Sequence, residues 1–574
     1  MADIERLHTD ILILGSGGAG LFAALHALKA APELEVTVAV KGLLGKTGCT
    51  RMVQGGYNVA LGPEDSLERH FMDTIIGGDW LPRQDLAWKM VAGARERVYE
   101  LETEIGCFFD RNPDGSLHLK AFAGQSLDRT VHKGDLTGIE IMGRLAEQVW
   151  AREVRRLEDH RAVALIKTPS GEALAGVLMI DMREGAFRFV QARAVLLATG
   201  GGPTMYLYHS PGGDKSCDGL AMALRAGLGL RDMEMVQFHP TGLLAGPDTR
   251  MTGTVLEEGL RGAGGHLLGG DGARFMPRYH ADAERATRDL VSRAIYREMR
   301  RGNTTPNGGV YIDMSHLGAH EVRRQFKGMV QRCADCGFDL AQGRVEVVPT
   351  AHYLMGGLIF EADGSTGLPG LFAAGEDTGG VHGANRLGGN GVVNSTVFGG
   401  LAGEAMAAWV QREGAYLEPD RAAVDEARAR CLKPLGRPAG DVNRIRERLY
   451  RVMWDQVGVL RDRPGLERAA AALDELAAEL EDTGIADRAP AFNPSWHDWL
   501  NLESLVLVSK AIARAAQSRA ESRGAHFRED YPEAGPLEDS TFTVARMEDG
   551  SLALSTEPVA FTLVKPGDTL IEGA

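Results

Sequence analysis

The run Ile11-Leu-Ile-Leu14, Gly15-Ser-Gly17-Gly18-Ala19-Gly20, then Leu21 to Ala31 constrains this chain more than any other part of it. An apolar tetrad, a glycine loop and a stretch with helical spacing of apolar residues read as strand, turn and helix. Gly15 permits the tight turn, Gly17 lets a pyrophosphate approach the backbone, and Gly20 lets the helix pack against the strand. Gly18 and Ala19 open that helix, whose unpaired N–H groups face the phosphates. The loop predicts a dinucleotide site. The next strand, Val36 to Val40, ends in Lys41 rather than in the acidic residue that grips a bare ribose diol, which disfavours a simple nicotinamide dehydrogenase.

Glycine is in excess elsewhere too, at 73 of 574 residues, where ordinary usage would give about 40. Ala194 to Ala198 runs into Thr199-Gly200-Gly-Gly202, and Leu371 to Ala374 runs into Gly375-Glu376, both again strand then turn. Three such turns suit a large two-headed cofactor such as FAD, held by distant loops of one sheet. Two further stretches, Gly48-Cys49-Thr50-Arg-Met-Val-Gln54-Gly55-Gly56 and His382 to Val392 with Asn385, Arg386, Asn390 and Gly391, set glycines beside polar side chains. They suggest backbone packed closely against a flat ligand, with simple turns as the alternative.

A net charge of −15 argues against nucleic acid or an anionic membrane as the main partner. Six cysteines are too few for a disulfide scaffold. No apolar run approaches the roughly 20 residues that span a bilayer, so no direct membrane insertion is expected. The amino-terminal residues show no export signal, and a cytoplasmic, reducing setting is expected, with membrane association only through partner subunits. Cys333-Ala-Asp-Cys336 stands without a second ligand pair, so no metal site is expected and a surface helix pair or loop is the reading.

Further blocks fall in order along the chain: Gln237-Phe-His239-Pro-Thr-Gly242, Glu258-Gly-Leu-Arg261-Gly, Thr287-Arg288-Asp289, Pro349-Thr-Ala-His352-Tyr-Leu-Met-Gly356-Gly357, Gly375-Glu376, His382 to Gly388, and Glu521-Ser-Arg-Gly-Ala-His526 to Pro532. With the glycine loops, they resemble the flavoprotein subunit of succinate dehydrogenase and fumarate reductase, a family that includes L-aspartate oxidase. The resemblance covers residue 10 to about 535 and fades over the last 40 or so. It implies an α/β fold: a Rossmann-like FAD-binding domain (residues 1–240 and 353–430), an inserted α+β capping domain (241–352), a C-terminal helical domain (431–535) and a tail region (536–574). Leu466, Ala469, Ala470, Leu473, Leu476, Ala477 and Leu480 fall on one helical stripe, and Asn501 to Arg519 reads as another helix.

The resemblance also implies roles. FAD would be held by Gly15, Gly17, Gly18, Ala19, Gly20, Lys41, Gly48, Cys49, Thr50, Gln54, Gly55, Gly56, Thr199, Gly200, Asp218, Glu376, Arg386, Asn390, Gly391 and Val392. His352 and Arg386 would grip one carboxylate of a small carboxylic acid, His239 would help hold the other end, and Phe122, Gln125 and Glu257 would line the site. Arg288 matches the family's proton-transfer arginine, with Glu258 and Arg261 as relay. A guanidinium is an awkward acid, and His239 or His352 is the alternative.

Three departures bear on the chemistry. Cys49 stands where the dehydrogenases and fumarate reductases carry the histidine bonded to flavin, so FAD is expected to be non-covalent, with a thioether to Cys49 as the alternative. Glu257 stands where the family has a carboxylate-binding threonine; either it is protonated or turned away, or the nearby substrate end is neutral or cationic. Gly391 replaces a serine, and Ala263 and Cys217 also differ. The leading expectation is an FAD-dependent oxidoreductase acting on a CH–CH bond, the catalytic subunit of a complex with an iron–sulfur partner docking on the helical domain and its Ser522–Pro532 segment. The alternative is a stand-alone oxidase or dehydrogenase of an amino or otherwise modified acid.

Overall fold

A computed structural model describes residues 4–247 and 249–571; the first three residues of the amino-terminal stretch lie outside it. The strand Glu5–Leu14, the helix Gly18–Ala30 and the strand Val36–Val40 form as the glycine pattern predicts. Glu5–Leu14 pairs in parallel with Val36–Val40 on one side and with Ala186–Leu197 on the other. Val154–Glu158 extends the sheet in parallel beyond Val36–Val40, and Leu371–Ala373 pairs in parallel with Val195 to Leu197. His160–Lys167 and Leu174–Asp181 add an antiparallel flap on the early part of Ala186–Leu197. The three strands that precede glycine turns therefore lie side by side with their carboxyl ends at one edge. In open α/β sheets that edge is where ligands bind.

Helix Asn390–Glu413 lies against helix Gly18–Ala30, and small residues make this close crossing necessary. A Cβ at Gly399 would sit 2.6 Å from the Ala19 carbonyl oxygen, and one at Gly403 would sit 2.4 Å from that of Ala23. The crossing fixes the loop Val381 to Gly389 directly over the sheet edge.

Between Val236 and Leu354 the chain builds a second sheet of four antiparallel strands: Val236–Leu243, Arg344–Leu354, Val310–Asp313 and His266–Leu268 in spatial order. The boundaries expected at 240 and 352 fall inside its two long strands, which lead into and out of the insertion. His239 lies opposite Thr350 in their register. Helix Arg288–Arg300 packs on this sheet, with Val291, Ala294 and Ile295 in its apolar core. Cys333 is buried at the end of the helix Lys327–Ala334 and Cys336 is half-buried just beyond it, so the pair is less exposed than expected.

Four helices follow, Arg421–Gly436, Val442–Gln456, Arg463–Asp482 and Pro494–Ser518. On the third, Leu466, Ala469, Leu473, Leu476 and Leu480 are buried as the stripe predicts, while Ala470 and Ala477 flank it half-buried. The last helix starts at Pro494, not at Asn501. Asn493 caps it by accepting from Trp496 N, and proline is at home in the first turn. The final segment is ordered structure: Thr541–Glu548 and Ser551–Pro558 form a hairpin that joins Leu230–Arg231 in a small sheet. Asp549 and Gly550 make its turn with φ of +48° and +77°, the two-residue turn that matches strand twist. Among the described residues, no helix is long and apolar enough to cross a membrane.

Candidate active site

One cavity of about 660 Å³ runs from the glycine turns at the sheet edge to the inserted sheet. Gly15 has φ +109°, and a Cβ there would lie 2.1 Å from the Ala198 carbonyl oxygen. Gly17 caps the helix Gly18–Ala30 without a side chain, and the Thr50 hydroxyl accepts from Gly18 N at 3.2 Å. The rest of that helix end opens on the cavity, which suits a pyrophosphate.

At the far side of the same edge, Lys41 Nζ and Arg161 Nη2 reach Asp218 at 2.8 and 2.7 Å. Burial opposes ionisation of Asp218, but the two cations outweigh it and hold the carboxyl well below its usual range. Glu376 Oε1 accepts from Gly202 N and Leu354 N, each at 3.1 Å, and Asp377 accepts from Thr199 and Gly200. Burial pushes Glu376 up to about 7 and Asp377 up to about 6. The Cys49 thiol is pushed up to about 12, first by burial and then by Glu376. It is a poor nucleophile at neutral pH.

At the other end, Glu258 takes one arginine on each oxygen. Arg261 Nη2 donates to Oε1 at 2.9 Å and Arg288 Nη2 to Oε2 at 2.7 Å. Burial again opposes charge on Glu258, but Arg288 and Arg261 outweigh it and hold the group below its ordinary value. Arg288, at the first turn of its helix, also donates to Gln237 Oε1 at 3.0 Å. Gln237 in turn donates to Asn385 Oδ1 and the Arg386 carbonyl.

Arg386 differs from these arginines. It is buried, lies with its guanidinium 4.3 Å from the Tyr353 ring centroid, and among the described residues has no carboxylate partner and nothing bonded to its Nε. Burial and the neighbouring Arg288 lower it to about 10. His239 and His352 lie with ring centroids 5.4 Å apart. Burial and nearby guanidinium groups drive both well below the usual imidazole range, so both are neutral at pH 7. His352 Nδ1 lies 2.7 Å from Ser210 Oγ.

Of the residues expected at the site, Gly20, Gln125, Arg261 and Asn390 do not line the cavity, and the others do. A Cβ at Gly20 would sit 2.0 Å from the Gly15 carbonyl oxygen, so Gly20 acts beneath the loop. Arg261 stands behind Glu258, and Gln125 donates to the Gly388 carbonyl at 3.0 Å. Asn390 faces away: its amide lies between Asn58, His70 and Thr74. Gly391 has a steric reason, since a Cβ there would lie 3.1 Å from Arg386 Nη1 and crowd the guanidinium on its tyrosine. Phe122 needs glycines likewise, for a Cβ at Gly55 would meet its ring at 2.3 Å.

Tyr353 and Ser210 line the cavity, and Gln237 and Lys120 stand behind it against Arg288 and Glu257; the sequence assigns none of the four a role. Tyr353 and Gln237 sit inside motif blocks beside histidines, which is the one signal that marks them. Segment Ser522–Pro532, expected as a docking surface, turns inward over its first half, where Arg523, His526 and Arg528 are buried and Arg293 donates to the Gly524 carbonyl, while Glu529, Asp530 and Pro532 are exposed.

A glycine-walled cavity at the carboxyl ends of parallel strands, continuous with buried arginines and neutral histidines, fits a flavin dinucleotide. Gln54 Oε1 and Arg386 Nε are buried there with no partner among the described residues. Residues 10–392 match the FAD binding domain family and residues 446–570 match the fumarate reductase flavoprotein C-terminal family, so the tail read as divergent lies largely within the second. The protein is an FAD-dependent oxidoreductase. It belongs to the succinate dehydrogenase and fumarate reductase flavoprotein family.

One relative, a chain of the CoM/CoB fumarate reductase of Methanothermobacter marburgensis, is 39% identical, over 93% of this chain and 96% of that one. The fumarate reductase flavoprotein subunit of Escherichia coli is 33% identical, over 99% and 97%. A solved structure of E. coli quinol fumarate reductase superposes with a TM-score of 0.92 at 32% identity, covering 98% of this chain and 99% of the other. Both named relatives are subunits of larger enzymes.

Proposed function

We propose that this chain is the catalytic flavoprotein subunit of a fumarate reductase-like enzyme, exchanging two electrons at the CH–CH bond of a small carboxylic acid. The observation that carries the reading is Arg386, a buried guanidinium without a carboxylate partner, facing the same cavity as the Glu258–Arg288 pair. Bound FAD, held by the glycine turns, Glu376 and the 48–56 loop, supplies hydride exchange at N5.

The chain's own groups do the rest. Arg386 and His352 hold one substrate carboxylate; with the Ser210 hydroxyl as donor in its 2.7 Å contact with Nδ1, His352 carries its N–H on Nε2. Arg288 gives or takes the proton on the neighbouring carbon, and Glu258, shared with Arg261, restores it. A guanidinium holds its proton above about pH 12, so only this tight coupling lets it act. The neutral histidines are weaker candidates for the acid, since neither holds the second, acidic proton of an imidazolium at pH 7.

FAD is held without a covalent bond, because the protonated Cys49 thiol is a poor nucleophile. An iron–sulfur partner docks at the cavity mouth rather than on the helical domain. There Met52, Leu136 and Ile139, each close to half exposed, line the opening where the helix Thr137–Trp150 begins. The test is anaerobic: saturated acids should bleach the bound flavin, or unsaturated ones should restore the colour of reduced protein. Acid-precipitated protein should leave its flavin in solution. Ile139→Glu should strip copurifying iron while FAD stays; iron unchanged would move the docking site elsewhere.

A further inference from the structure

Glu257 and the nearby Asp135 are cavity carboxylates that the proton chain does not use, and Glu257 is the one next to Glu258 in the chain. It is 3% exposed and lines the cavity. Leu256 ties it to the strand of His239: Leu256 N donates to the Thr241 carbonyl and Thr241 Oγ1 to the Leu256 carbonyl, each at 2.9 Å. Lys120 Nζ stands 3.6 Å from Oε1, but Oε2 has no partner among the described residues. Lys120 also spends a donor on the Gly134 carbonyl at 2.8 Å, and Arg332 spends one on the Val255 carbonyl.

The two ends of the substrate space thus differ in charge. Around Arg386 stand Arg288 and Arg261, which share Glu258, and Glu376, which burial pushes up to about 7, so Arg386 keeps a guanidinium that, among the described residues, no carboxylate pairs directly. Around Glu257, Lys120 and Arg332 are matched by Glu257 and Asp135, whose Oδ2 is likewise unpartnered. No cation is left over there for a second substrate carboxylate, and the neutral His239 adds none. A buried acceptor without a donor costs free energy unless a ligand supplies one.

Building on the reading above, we infer that Glu257 accepts a hydrogen bond from the substrate, which carries one carboxylate for Arg386 and His352 and, at its other end, an uncharged or cationic donor such as an amide or ammonium group instead of a second carboxylate. The probes are fumarate and its monoamide, fumaramate, titrated calorimetrically into holoenzyme that retains its yellow colour, with reoxidation of reduced flavin measured alongside. Wild type should bind the monoamide at least tenfold more tightly than the dianion. Glu257→Gln and Glu257→Thr should each move that ratio at least tenfold toward fumarate.

Fumarate binding as tightly as the monoamide in wild type, or a ratio unchanged in both variants, overturns the inference. A ratio unchanged in Glu257→Gln alone also overturns it, because burial raises Glu257 and a neutral carboxyl that glutamine replaces without effect is not the acceptor inferred here. If neither compound reoxidises the flavin while binding still follows Glu257, the substrate end is as inferred and the proposed CH–CH reaction is wrong.

Discussion

Two buried arginines sharing one carboxylate are a poor device for stability, because desolvation offsets most of the attraction. Removing the carboxylate leaves both guanidinium groups unpaired. Glu258→Ala should therefore lower stability by about 3–5 kcal/mol, read as a drop in midpoint by calorimetry; a shift within error would mean that solvent reaches the pair. Glu376 and Asp377 give the opposite titration to the usual carboxylate. Their folded values, about 7 and about 6, lie above the ordinary 4.5 and 3.8. Below the ordinary values both states are protonated, so the apo-protein's stability should fall as pH rises from about 4 to about 7, and Glu376→Gln should flatten that slope. Residues such as Arg288, His352 and Arg386 were legible in the sequence because they sit in motif blocks. The parts played by Tyr353 and Ser210 were not, since stacking under Arg386 and bonding to His352 exist only once distant strands meet.

Elements were legible where local chemistry decides them. The strand–glycine–helix start at Gly15 formed as read, because both the turn and the helix packing forbid a side chain. Gly15→Ala would place a Cβ against backbone at 2.1 Å on a residue with positive φ. It should cost about 2–4 kcal/mol and release FAD, measured by flavin retained through gel filtration; retention at the wild-type level would contradict the packing argument. The helix from Pro494 and the hairpin after Thr541 escaped for different reasons. The helix start was legible but passed over: Asn493-Pro494 is a cap and first-turn pair, and Trp496, Trp499 and Leu500 behind it are buried at helical spacing. The hairpin strand Ser551–Pro558 is largely exposed and lacks the apolar alternation that marks a strand, although Asp549-Gly550 was there to be read.

At the scale of the whole molecule, the insertion is latched to the C-terminal segment, which the sequence reading placed on the outside. Phe527 receives Arg293 and Arg297 from the helix of Arg288, at 5.1 and 5.2 Å from its ring, and Arg300 pairs with Glu529 at 2.5 Å. Each cation–π contact contributes about 0.5–2 kcal/mol. Phe527→Ala should speed hydrogen exchange along Arg288–Arg300 and lower turnover while leaving FAD bound; exchange unchanged there would show that the latch holds nothing. Such long-range contacts carry no local pattern, which is why motif order revealed the family but not this closure. The central claim is that one cavity joins flavin to an arginine-based proton chain, and stopped-flow reoxidation of reduced enzyme by its unsaturated acid tests it most directly. Arg288→Ala is predicted to keep its full flavin absorbance and lose at least a thousandfold in that rate; a variant that reoxidises as fast as wild type would contradict the account.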